Sequence, residues 1–120
     1  MRLHPYFLAF LLAGAVFPAS SYGHARFAGS QPANGERLNA PPPSLTVTFE
    51  GQIERHFAYL TVTPEEGETV ELEPEVRSDR RSGTLSASLP PLDTGSYRVW
   101  WSVVSRDGHR VEGRFTFQVE

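Results

Sequence analysis

This chain has no cysteine and no lysine, and its single methionine is Met1. Without cysteine there is no disulfide, no thiolate metal site and no cysteine nucleophile. The fold must therefore rest on its core alone. A membrane-spanning run is also missing. The longest apolar stretch, Tyr6 to Phe17, falls well short of the ~20 apolar residues that cross a bilayer as a helix.

That stretch does fit a secretory leader over residues 1–23. Arg2 supplies a short positive start, and Pro18, Ala19, Ser20 and Ser21 break the apolar run. Ser21 and Gly23 place small residues at the third and first positions before a cut after Gly23, as a signal peptidase pocket requires. The competing readings are an uncleaved N-terminal anchor and a cut two or three residues away. No cysteine follows the run, which excludes a lipoprotein anchor. Export makes the lack of cysteine informative, because disulfides are permitted outside the cytoplasm.

Removing 23 of 120 residues leaves 97, a size for one domain with a single modest core. All fourteen acids lie in that part, against ten arginines, for a net charge of −4. An acidic balance argues against nucleic acid or anionic lipid as a partner. It mildly favours cations, although it most often serves solubility.

The domain, residues 24–120, reads as short strands separated by turns, without helical periodicity. A short strand is expected after His24. Ser30 to Gly35 and Ala40 to Pro43 form loops on either side of further chain. Leu45, Val47 and Phe49 alternate with Thr46, Thr48 and Glu50 as a half-buried strand, and Phe57–Thr63 is a second. Pro64-Glu65-Glu66-Gly67 turns the chain into a strand at Thr69–Val76, and Thr84–Leu89 follows a polar loop. Tyr97, Val99, Trp101 and Val103 share one face of a long strand, and Val111, Phe115, Phe117 and Val119 share a face of its partner, because side chains alternate with period two. About seven strands at this spacing predict an all-β, Greek-key β-sandwich.

Two segments carry chemistry. If the chain is cut after Gly23, His24 becomes the first residue and offers two nitrogens, its α-amine and its imidazole. Asp107-Gly108-His109 offers a carboxylate and a second imidazole. Asp107 and His109 are two apart, so they point the same way in extended chain, and they lie beyond the apolar run of the long strand. Gly108 suits a bend there, at the mouth of the final hairpin. A mature N-terminus opening the first strand could reach the same end. Three nitrogens and one oxygen in a tetragonal array suit Cu(II), which also tops the divalent affinity order. The amine, with an ordinary pKa of about 7.7–8.0, must lose its proton, so binding should weaken as pH falls. The plainer reading is a hairpin turn with surface histidines.

Over nearly all of residues 24–120 the chain resembles the CopC-type periplasmic copper-binding proteins. The resemblance rests on His24-Ala25, Ser30-x-Pro32-Ala33-x-Gly35 and Leu45-x-Val47-x-Phe49. It is most specific at Tyr97-x-Val99-x-Trp101-x-Val103-Val104-Ser105-x-Asp107-Gly108-His109, completed by Gly113-x-Phe115-x-Phe117-x-Val119. It implies an immunoglobulin-like β-sandwich that binds one Cu(II) per chain through the His24 amine and imidazole, an Asp107 oxygen and the His109 imidazole. The amine with two imidazoles is the arrangement called a histidine brace. The implied role is periplasmic copper carriage in homeostasis or resistance, with a CopD-type inner-membrane protein as partner. The mature protein is expected to be a monomer without membrane insertion. Some members carry a Met-rich loop that binds Cu(I); the only methionine here is Met1, so no such second site is expected. Members also often have an acid two residues after the counterpart of Phe49, where this chain has Gly51.

Other residues receive simpler readings. His56 is expected to be solvated, and the acids between Glu65 and Glu75 to line the wet face of a hairpin. Trp100 points away from Trp101, which leaves room for a docking patch. Ser105 is expected to stabilise its turn, with a hydrogen bond near the site as a second role. Two other functions compete with the non-enzymatic carrier. One is an oxidative enzyme built on histidine-brace copper, opposed by the short chain and by Asp107 in a position that reactive copper sites tend to leave open. The other is a metal-free adhesion or assembly sandwich.

Overall fold

The computed structural model describes residues 24–120, so the expected leader and its cleavage site lie outside the described residues. Nine strands follow in order: β1 Arg26–Gln31, β2 Glu36–Leu38, β3 Ser44–Glu50, β4 Tyr59–Pro64, β5 Val70–Glu71, β6 Glu75–Ser78, β7 Ser82–Ser88, β8 Gly95–Val104 and β9 Arg110–Val119. They form a four-stranded sheet, β1-β3-β7-β6, and a five-stranded sheet, β2-β9-β8-β4-β5. Every pairing is antiparallel except β2 with β9. The result is the immunoglobulin-like Greek-key sandwich expected from the sequence.

The alternating residues form the core. Leu45, Val47 and Phe49 from β3 and Leu85 and Ala87 from β7 are buried, and they meet Leu60, Val62, Tyr97, Val99, Trp101, Val103, Phe115, Phe117 and Val119 from the other sheet. Trp101 needs more room than a regular sheet face gives. It pairs across the ladder with Gly113, and a Cβ there would lie 2.5 Å from the indole. Phe27 stacks on Trp101 with 5.7 Å between ring centroids, and Phe49 meets it edge-on at 5.0 Å.

Nine strands rather than about seven arise from two local causes. The single strand expected over Thr69–Val76 divides into β5 and β6, which belong to opposite sheets. Pro74 lies at the crossing; it has no N–H to give a continuous ladder. The other addition is β2, three residues beside β9. It is too short for alternation to show. Asn34 and Gly35 lead into it by bonding Thr116, the Gly35 N–H to its carbonyl at 2.7 Å and the Asn34 side-chain oxygen to its N–H at 3.1 Å.

One end of the sandwich gathers the start of β1, the ends of β3, β6 and β8, and the starts of β4, β7 and β9. The two chemistry-bearing segments belong to that end.

Candidate metal centre

Asp107 and His109 lie in a tight loop between β8 and β9 whose backbone is closed by short bonds. The Ser105 N–H donates to the His109 carbonyl at 2.8 Å, and the Gly108 N–H to the Ser105 carbonyl at 2.9 Å. Gly108 has φ +87°, a conformation that a side chain would strain. A second segment braces the loop from below. Ile53 forms a bridge with Ser105, the Glu54 N–H donates to the Val104 carbonyl at 2.7 Å, and the Arg106 N–H to the Gln52 carbonyl at 3.2 Å.

His24 arrives from the other sheet. Ala25 is buried, and the pairing of Arg26 with Glu50 fixes the start of β1 against the end of β3. Gly51 follows immediately, with φ +96°. A Cβ on it would lie 3.1 Å from the His24 carbonyl oxygen and 3.3 Å from the Ala25 Cα. The bare backbone of Gly51 lets the N-terminal segment lie this low.

The segments do meet. The Asp107 Oδ2 lies 3.2 Å from His24 Nδ1 and 3.0 Å from His109 Nδ1. The two imidazole rings are 4.9 Å apart between centroids and tilted by 44°. One donor atom from each of the three residues falls within 4.8 Å of the others. Two donors held about 2.0–2.1 Å from one divalent ion at right angles lie about 2.9 Å apart. The nitrogen–oxygen separations therefore suit a shared ion. The site is a surface feature rather than a pocket: the side chains of His24, Asp107 and His109 retain 45%, 25% and 68% of their exposure.

Asp107 is oriented and kept ionised by its neighbours. The Ser105 hydroxyl donates to its Oδ1 and lies 3.0 Å from the His109 carbonyl oxygen. The His109 N–H adds a bond to the same Oδ1 at 3.2 Å. The Ser105 hydroxyl, then the His109 backbone and side chain, then the charge of His24 lower the Asp107 pKa to about 2, outweighing partial desolvation. The carboxylate is thus charged at any physiological pH, with Oδ1 occupied by the protein and Oδ2 turned to the two rings.

All three residues singled out from the sequence are brought together. His56 is exposed and stands outside the donor group. Ser105 fills both roles weighed for it, turn and site, and it does so while fully buried. Gly51 was visible only as a missing acid; its contact with the His24 backbone required the tertiary structure.

A β-sandwich that carries a surface His–Asp–His donor set where its first strand begins is a small all-β protein with a candidate metal centre at one end. The chain belongs to the CopC domain family, whose profile matches residues 27–120. It is 33% identical over 116 residues to Protein YobA of Escherichia coli K12, covering 96% of this chain and 93% of that one. It is 27% identical over 120 residues to the copper transport protein CutJ of Bacillus subtilis, covering 99% of this chain but 22% of CutJ. Among solved structures, CopC from Methylosinus trichosporium OB3b superposes with a TM-score of 0.67 at 30% identity, covering 81% of this chain and 94% of that one.

Proposed function

We propose that the processed protein is a periplasmic copper carrier, not an enzyme. It holds one Cu(II) through the amine and Nδ1 of His24, the Asp107 Oδ2 and an imidazole nitrogen of His109. The observation that carries this reading is the convergence of both imidazoles on one oxygen of Asp107. The nitrogen of His24 that faces Asp107 is Nδ1, which can close a six-membered chelate with the residue's own amine. Nε2 could not reach. Nitrogen-rich donors with one carboxylate suit Cu(II), and the affinity order favours it over zinc. No methionine follows Met1, so a separate thioether site for Cu(I) has no ligands.

Family membership supports copper as the cargo, as does the name of the relative CutJ, a copper transport protein. The matched segment occupies 22% of CutJ. This supports a domain that works beside a larger copper-transport partner, such as a CopD-type inner-membrane protein. The amine becomes free only on cleavage after Gly23, so the precursor lacks the complete site.

The test is to express the full precursor, confirm by mass that the exported protein begins at His24, and titrate Cu(II). One equivalent with a tetragonal, nitrogen-rich EPR signal is expected. Failure of protein that begins at His24 to bind Cu(II) refutes the reading. Peroxide-dependent cleavage of a polysaccharide would favour an oxidative enzyme instead. One residue added before His24 should weaken binding strongly, because the amine then becomes a peptide nitrogen.

A further inference from the structure

The net charge of −4 conceals an uneven distribution. At the metal-bearing end, the segments 24–26, 50–58, 79–81 and 105–110 contain six arginines: Arg26, Arg55, Arg80, Arg81, Arg106 and Arg110. They contain four acids, Glu50, Glu54, Asp79 and Asp107. One of those acids, Asp107, belongs to the metal centre, and Asp79 is occupied by the backbone N–H groups of Arg81 and Ser82. The segments at the opposite end, 32–43, 64–69, 90–94 and 119–120, carry six acids, Glu36, Glu65, Glu66, Glu68, Asp93 and Glu120, against one arginine, Arg37. All six arginines are exposed. Among the described residues, none of the six makes an ion pair; the arginines that do are Arg37 and Arg77.

An apolar anchor stands among these charges. Phe57 is 67% exposed and has φ +61°, a conformation bulky residues rarely adopt. Arg110, which directly follows the ligand His109, donates to the Phe57 carbonyl at 3.2 Å and to the Ser102 hydroxyl at 2.6 Å, with its guanidinium over the Tyr59 ring at 5.5 Å. The aromatic is therefore tied to the metal loop. Aromatic residues and arginine are both enriched at protein-binding surfaces.

We infer that this end is a docking face for a partner protein with a carboxylate-rich surface, which it meets metal first. Arginine, which has no lysine beside it in this domain, pairs with carboxylates in bidentate geometry. The uneven charge would orient the carrier during approach and raise the association rate. A protein is favoured over an anionic membrane because a partner that takes the metal must bring its own ligands to it. That last step rests on the carrier reading above; the charge and Phe57 do not.

The experiment uses the processed protein loaded with Cu(II), with poly-L-glutamate and a glutamate–tyrosine copolymer as probes and calorimetry as the readout. Poly-L-glutamate should bind at low salt and release at about 0.3 M salt, where screening is strong. The Arg55→Glu/Arg80→Glu variant should bind about tenfold more weakly, whereas Arg37→Glu, away from this end, should change little. The copolymer should bind more tightly than poly-L-glutamate, and Phe57→Ala should erase that gain. Equal effects of the reversals at both ends, or no probe binding, would overturn the inference. So would preferential binding to phosphatidylglycerol vesicles over both polymers. A Cu(II) titration of the same samples keeps the two readings separate: loss of copper binding with probe binding intact rejects the carrier and leaves the face.

Discussion

Ser105 is completely buried, yet its hydroxyl holds the Oδ1 of Asp107, a carboxylate at the surface. The core thus reaches out to fix the orientation of the one carboxylate in the candidate metal centre. Ser105→Ala should leave the fold intact and free Asp107 to rotate. An outer-shell partner of a metal ligand typically carries 10–100-fold in affinity, so Cu(II) binding should weaken by about tenfold or more. Competition titration against a chelator measures it, and unchanged affinity would remove Ser105 from the site.

The same bond sets a pH window. The Asp107 pKa is lowered to about 2 from an ordinary value of about 3.9. A depressed carboxylate pKa contributes stability that is full above the ordinary value and is lost as pH falls through the lowered one. Metal-free protein should therefore lose the contribution of Asp107 between about pH 4 and pH 2. Carboxyl NMR should find Asp107 titrating near 2 in the wild type and closer to its ordinary value in Ser105→Ala. Release of copper nearer neutral pH then reports proton competition at nitrogen donors, and Asp107 stays ionised throughout.

Gly51 should prove indispensable to the placement of His24. An alanine there would hold φ near +96° only with strain, and its Cβ would press on the His24 carbonyl. Gly51→Ala is expected to cost about 1–2 kcal/mol of stability and to lower Cu(II) affinity, with a change in the EPR signal. A loss of stability with an unaltered copper signal would show that His24 does not depend on Gly51.

Gly113→Ala tests the packing beneath the site. The added methyl would meet the Trp101 indole at 2.5 Å, and overpacking of this kind costs about 1–3 kcal/mol. For a domain of this size each kcal/mol moves Tm by about 4–8 °C. Thermal unfolding gives the stability, and near-UV circular dichroism should show the displaced indole. A neutral substitution would mean that the Phe27–Trp101 stack can shift without cost.

Tyr97→Phe probes the far end. The Tyr97 hydroxyl donates to the Asp93 carbonyl at 2.6 Å, and burial raises its pKa, so the phenol stays protonated. Removing it should cost about 0.5–1.5 kcal/mol without altering copper binding. Denaturant unfolding and the copper titration together check both parts.

Much of this was legible in the chain itself. Period-two alternation in Leu45-Thr46-Val47-Thr48-Phe49 and from Tyr97 to Val103 fixes which faces are buried, because neighbouring side chains on a strand must point oppositely. Asp107-Gly108-His109 announces two donors on a bend, and His24 a third beside a cleavage pattern. The composition settles what the site cannot contain, since neither thiolate nor thioether follows Met1. Three-residue pairing such as β2, and the division of Thr69–Val76 between two sheets, are set by partners far along the chain and leave no local period to read.

Only the tertiary structure decided that His24 and Asp107 meet, because their approach depends on sheet order and on the register of Arg26 against Glu50. It also decided that a chain acidic in total places six of its ten arginines in residues 24–120 at the end that carries His24, Asp107 and His109. Net charge is a sum over residues, while a field depends on where the fold puts them.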